Sequence, residues 1–146
     1  MIDFALAGTV SGNSPRIFHA PEAAAQTFNG GDVVTLVAGK VTVAGADPLT
    51  IAGIAIANAE GVTDTDTMVI SATYDNIFMG QLIAGQAIAI ADLFANYEIL
   101  VTGGSWEIEK PAAVAPRVKI VGFVDPVGTV AGRVLFKFLQ ANTLEV

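Results

Sequence analysis

The sequence predicts an all-β protein: a compact small β-barrel or sandwich with one or two short helices and an extended N-terminal arm. Three observations lead there. Valine, isoleucine and threonine supply 42 of the 146 residues, an enrichment that suits pleated, half-buried surfaces. Apolar residues recur with a period of two in short runs broken by glycine, proline and aspartate. No helical pattern lasts the dozen or so residues that a crossover between parallel strands needs. The length fits one domain, divided into an arm, residues 1–27, and a β-rich body, residues 28–146.

The arm segment lacks sustained alternation. Ile2, Phe4 and Leu6 fall on one side of an extended stretch, and Ile17 and Phe18 stand between Pro15 and Pro21, which interrupt regular pairing. Such apolar teeth on an extended segment suit a neighbour's sheet edge; the plainer alternative is an edge strand of the same domain. PEAAA (21–25) has proline and glutamate where a helical turn begins, and Phe28 and Gly30–Gly31 end it.

FNGGDVVTLVAGKVTVA (28–44) raises the question of a phosphate cradle. Such a loop has its glycines after a strand and before a helix, whereas these glycines precede alternating valines. The stretch reads as a hairpin turning at Ala38–Gly39, with Val33, Thr35 and Val37 on one face and Val34 and Leu36 on the other. A turn at Asp47–Pro48 leads to Ile51, Ile54 and Ile56 around Gly53, a glycine that marks a bulge or a close backbone approach. Strands are expected at MVISA (68–72), NIFMG (76–80) and QAIAI (86–90). ADLFANYEIL (91–100) either opens with a turn capped by Asp92 or runs straight into a strand at Tyr97. WEIEK (106–110) alternates strictly, and residues 117–139 form a last hairpin turning at Asp125–Gly128.

Charged residues make up 14% of the chain and the net charge is −7, with a pI near 4.4. Ordinary soluble domains carry roughly 25% charged residues, so either alanine, glycine and threonine form much of the surface or part of it is expected to meet other subunits. The acidity and the scatter of the seven basic residues argue against nucleic acid. Cysteine is absent, which removes disulfides and thiolate chemistry. No basic leader precedes a long apolar stretch, and the longest apolar runs are too short for a bilayer-spanning helix; a soluble protein is expected.

Catalysis needs a positioned nucleophile, acid or base. His19 is the sole histidine and lies between prolines, and one histidine without cysteine does not make a usual zinc set. Asp64 and Asp66 are two apart but lack a calcium-loop pattern, so they read as a solvated turn. Glu107 and Glu109 read as the polar face of a strand, and Trp106 as core. No enzyme activity, metal or cofactor is expected.

The Gly31–Asp32 step, the hairpin Val33 to Val43, the strand Gly53 to Ala57 and the terminal hairpin 117–139 together resemble small tailed-phage head proteins, the decoration or cement proteins of icosahedral capsids. The resemblance spans about two thirds of the chain, by style more than by strict motif. It implies a homotrimer on the outer capsid surface of the virion, assembled in the host cytoplasm. The trimer would sit at threefold or quasi-threefold sites of the expanded head, bind the major capsid protein and resist the pressure of packaged DNA. Carried onto this chain, the resemblance makes Ile2, Phe4, Leu6, Ile17 and Phe18 the anchors of a capsid-binding arm and residues 28–146 a trimerising body. Removing residues 1–20 is then expected to leave a folded body. A tail or fibre subunit and a small-ligand barrel are the alternative readings.

Overall fold

The computed structural model describes residues 3–45, 48–110 and 115–144. Along them run eleven strands: β1 (Ala5–Thr9), β2 (Ile17–Pro21), β3 (Val33–Val37), β4 (Lys40–Val43), β5 (Gly53–Ala55), β6 (Asp66–Ser71), β7 (Asn76–Gln81), β8 (Asn96–Thr102), β9 (Ser105–Glu109), β10 (Val118–Phe123) and β11 (Arg133–Phe138). Two single 3-10 turns, Ile90–Asp92 and Gln140–Asn142, are the helical segments among the described residues. The strands form two antiparallel sheets, one in the order β1-β7-β11-β10-β8-β9 and one in the order β2-β6-β5-β3-β4.

The β3–β4 hairpin turns at Ala38–Gly39, both with positive φ (50° and 78°), the geometry that two-residue hairpins favour. Strand β5 also behaves as its glycine suggests. A Cβ at Gly53 would overlap the Ile70 carbonyl oxygen on β6, so glycine permits the close approach of those two strands. Alternation on β9 buries Trp106 and Ile108 and leaves Glu107 and Glu109 half-exposed.

Two cores result. The larger unites Phe78, Phe136, Phe138, Trp106, Ile108 and Ile120 of the first sheet with Val33 and Ile54 of the second. The smaller lies on the other side of the second sheet, around Phe28, Val34, Val41, Ala55 and Val69. Both faces of β3 and β5 are therefore covered. Both sheets curl: in the first, the Ile83 N–H just past β7 donates to the Ile108 carbonyl on the β9 edge (3.0 Å), and in the second, the Ala23 N–H just past the β2 edge donates to the Val41 carbonyl on the β4 edge (3.0 Å). Neither contact extends into a ladder, so the architecture is a sandwich of two curled sheets rather than a closed barrel.

The N-terminal segment differs from the projecting arm expected of it. Strand β1 pairs with β7, with Ala5 opposite Met79, and β2 pairs with β6, with Ile17 opposite Ile70. Phe4 is buried in the larger core, its ring centroid 4.8 Å from that of Phe136 and 6.3 Å from that of Trp106. It occupies a slot that only glycine leaves open at residue 80, where a Cβ would lie 2.7 Å from the Phe4 ring. Burying a phenylalanine is worth about 2–3 kcal/mol, and that gain favours the docked strand.

Two local expectations also change. PEAAA forms no helical turn: Glu22 is buried and its carboxylate accepts the N–H groups of Glu60 (3.0 Å) and Gly61 (2.6 Å). QAIAI forms no strand. It contributes one isolated pairing, Ala87 with Val130, and then enters the first 3-10 turn. Asp47, of the expected Asp47–Pro48 turn, lies outside the described residues.

Candidate interaction surface

Two loops at one end of the first sheet carry six exposed large apolar side chains. Residues 86–94 run beside the β10–β11 connection, 124–132. The Ile88 N–H donates to the Thr129 carbonyl (3.0 Å), the Gly128 N–H to the Ile88 carbonyl (2.8 Å) and the Ala131 N–H to the Gln86 carbonyl (2.7 Å). From this pair of loops Ile90, Leu93, Phe94, Val124, Val127 and Val130 are exposed; Ile90 is 76% accessible and Phe94 63%. Phe94 has φ = 66°, a left-handed conformation uncommon for a bulky aromatic residue. Backbone strain of this kind gathers where a side chain is held for contact.

A buried charge cluster fixes the loop. Asp92 is 4% exposed and accepts hydrogen bonds from the Ala89 N–H (2.8 Å), the Tyr97 hydroxyl (2.5 Å) and Lys110 Nζ (2.9 Å). Lys110 Nζ also donates to the Ala87 carbonyl (2.7 Å). Burial pushes the Asp92 carboxyl up, but the Tyr97, Ala89 and Lys110 donors together outweigh it and hold the group below its ordinary value. Burial, and then the Asp92 charge, push the Tyr97 hydroxyl well above its usual range. The Phe94 N–H donates to the Ile120 carbonyl (2.9 Å), tying the loop to β10.

The neighbouring loop has its own clamp. Asp125 accepts Arg133 Nη2 (2.6 Å), Nε (3.0 Å) and the Arg133 backbone N–H (2.8 Å). The Arg133 guanidinium and N–H lower the Asp125 carboxyl to about 2. The apolar side chains of this end thus project from loops held at their bases by charged hydrogen bonds.

The sequence-derived anchors are dispersed. Ile2 lies outside the described residues. Phe4 is core, and Leu6 is partly buried against the same cluster. Phe18 is partly buried against the smaller core. Ile17, 45% accessible on the edge strand β2, faces solvent. Sequence reading did not single out Ile90, Leu93 and Phe94 as surface residues: it took QAIAI for a strand and left ADLFANYEIL open between a turn capped by Asp92 and a strand, and a turn forms. The Ala91–Asp92 step beside them was the signal that a turn intervened.

Elsewhere the described residues offer less organised features. His19 Nδ1 lies 2.7 Å from Asp66 Oδ2, both side chains exposed, and Lys40 pairs with Asp64 at 2.6 Å. A cleft of about 510 Å³ is lined by Arg16, Tyr74, Asp75, Gln140 and Thr143 among others. Among the described residues no group of three or more histidine, aspartate and glutamate side chains is placed to hold a metal ion. Among the described residues no helix is long and apolar enough to cross a membrane. Comparison with protein families, with curated proteins and with solved structures finds no match to this chain.

Proposed function

We propose that this chain is a structural coat subunit, a decoration protein. It binds the outer surface of an expanded icosahedral phage head as a homotrimer at threefold or quasi-threefold sites and stabilises the head against internal DNA pressure. The observation that carries the reading is the clamped, exposed apolar loop pair around Ile90 and Phe94. Exposed apolar side chains on a rigid base are the anatomy of a contact surface, and a cement protein has no other task than contact. A partner that binds only the assembled shell stabilises it by mass action, and three copies of one surface on a trimer multiply a modest affinity. The resemblance of the hairpins 28–44 and 117–139 to decoration proteins supports the same reading. In this reading the loop pair supplies the capsid-binding anchors in place of the N-terminal segment, with Ile17 on the β2 edge as a further apolar contact.

The test is cosedimentation with expanded heads assembled from the cognate major capsid protein. The wild-type chain should pellet with the heads. The double variant Ile90→Asp/Phe94→Asp should keep its circular dichroism spectrum, since both side chains face solvent, and remain in the supernatant. A wild-type chain that does not pellet, or a folded double variant that pellets as well as wild type, would overturn the proposal.

A further inference from the structure

We propose that the cleft between the β6–β7 turn and the second 3-10 turn binds a saccharide that carries a carboxylate. The cleft encloses about 510 Å³, and its walls include Arg16, Thr73, Tyr74, Asp75, Gln140 and Thr143; its volume is in the range of small-ligand sites. It lies at the far end of β11 from the apolar loop pair. The 124–132 connection enters β11 at Arg133, whereas Gln140 follows its last residue, Phe138. A ligand here leaves the loop pair free.

The backbone under the cleft is tied on both sides. Asn76, fully buried, donates from Nδ2 to the Arg16 carbonyl (3.2 Å) and the Ser71 carbonyl (2.8 Å), and its Oδ1 accepts the Arg16 N–H (3.4 Å). The Asn76 N–H closes the turn on the Thr73 carbonyl (3.2 Å). One buried amide thus holds residue 16 against the turn that presents Tyr74. The facing 3-10 turn is tied to Ile51, whose N–H donates to the Asn142 carbonyl (2.7 Å) and whose carbonyl accepts the Leu144 N–H (2.8 Å). A base fixed in this way spares a ligand the cost of ordering it.

The side chains above this base set the ligand class. Among the described residues Arg16 has no carboxylate partner, whereas Lys40, Lys110 and Arg133 each have one. Asp75 is already occupied, accepting the Ser11 N–H (2.9 Å) and the Ser11 hydroxyl (2.8 Å). The charge that the cleft offers is therefore positive, in a chain of net charge −7. A guanidinium takes a carboxylate through two parallel hydrogen bonds. Thr73 Oγ1 is enclosed and has no hydrogen-bond partner, a state that a bound hydroxyl relieves, and Gln140 adds an amide that both donates and accepts. Tyr74 is 70% accessible and Lys137 Nζ lies 3.8 Å from its ring centroid, so one face of the ring is braced and the other is bare. The negative face of an aromatic ring attracts the polarised C–H bonds on one side of a sugar. A bare anion needs no such ring, and an apolar ligand finds too few apolar walls. A ring flanked by hydroxyl, amide and guanidinium groups matches a polyol bearing an acid.

A panel of immobilised oligosaccharides, followed by nuclear magnetic resonance titration with the tightest binder, tests this. Glycans ending in a uronic or sialic acid should bind the wild-type chain, and their neutral counterparts should bind about 10-fold more weakly or worse. The titration should shift the amide resonances of Arg16 and of residues 73–76. Arg16→Gln should weaken the acidic glycan roughly 10–100-fold, down to the level of its neutral counterpart, and Tyr74→Ala should weaken both. Both side chains are exposed, so each variant should keep the wild-type circular dichroism spectrum. Sodium acetate should bind far more weakly than the glycan. The proposal is overturned if no acidic glycan binds, if neutral and acidic glycans bind alike, if the shifts fall elsewhere, or if either folded variant keeps wild-type affinity. Acetate binding as tightly as the glycan would also overturn it, since that marks a site for a bare anion.

Discussion

Asp92 shows how one side chain places a surface. Its carboxylate takes donors from Ala89, Tyr97 and Lys110, and these fix the turn from which Ile90 and Phe94 project. Because its folded-state value is lowered, it stabilises the fold above the ordinary carboxylate value of 3.8, and that stability is lost as pH falls through the lower folded value. Asp92→Asn leaves Lys110 with a buried charge and no counter-ion, a loss of about 3 kcal/mol at neutral pH. Denaturant titrations at pH 7 and in acid should find the variant weaker at pH 7 and the gap closing below about pH 4. A gap that stays constant would mean that the charge of Asp92 does not matter. Asp32 has the opposite sign: burial, with the Asp3 charge adding to it, raises its carboxyl even though the Asn29 N–H is bound.

At the scale of elements, β1 decides what the N-terminal segment is. Its residues alternate too weakly to be read as a committed strand, and its partner β7 lies far along the chain. The pairing becomes legible only once Gly80 is seen opening a slot for Phe4. Deleting residues 1–20 takes away β1, the Phe4 ring and most of β2, which spans Ile17–Pro21. Losing one core phenylalanine costs about 3–5 kcal/mol, comparable with the 5–15 kcal/mol of a typical whole domain. The truncated chain is therefore expected to lose its cooperative thermal transition by circular dichroism, in contrast to the folded body that the arm reading requires. A cooperative melt near the wild-type midpoint would restore the arm.

Across the whole molecule the two cores share a wall. Strand β5 contributes Ile54 to the larger core and Ala55 to the smaller, so a wedge there opens both. Gly53→Ala sets a methyl against the Ile70 carbonyl and forces β5 from β6. Overpacking of this kind costs about 1–3 kcal/mol. One transition with a lowered midpoint should appear in calorimetry; two separated transitions would show that the cores fold independently.

The sequence by itself determined the hairpins within 33–43 and 117–139, the Ala38–Gly39 turn, the inward Trp106 and the special backbone at Gly53, a bulge or a close approach. Each of these is written in neighbouring residues through the period-two alternation and the steric freedom of glycine. Only the tertiary structure decided that the N-terminal segment completes both sheets, that Glu22 caps a distant loop instead of starting a helix, and that Ile90 and Phe94 face solvent. Those outcomes depend on partners distant along the chain: a slot at Gly80, amides at Glu60 and Gly61, a lysine at position 110. Local pattern fixes which side chains share a face, but what covers that face is settled by the free energy of packing against the rest of the fold.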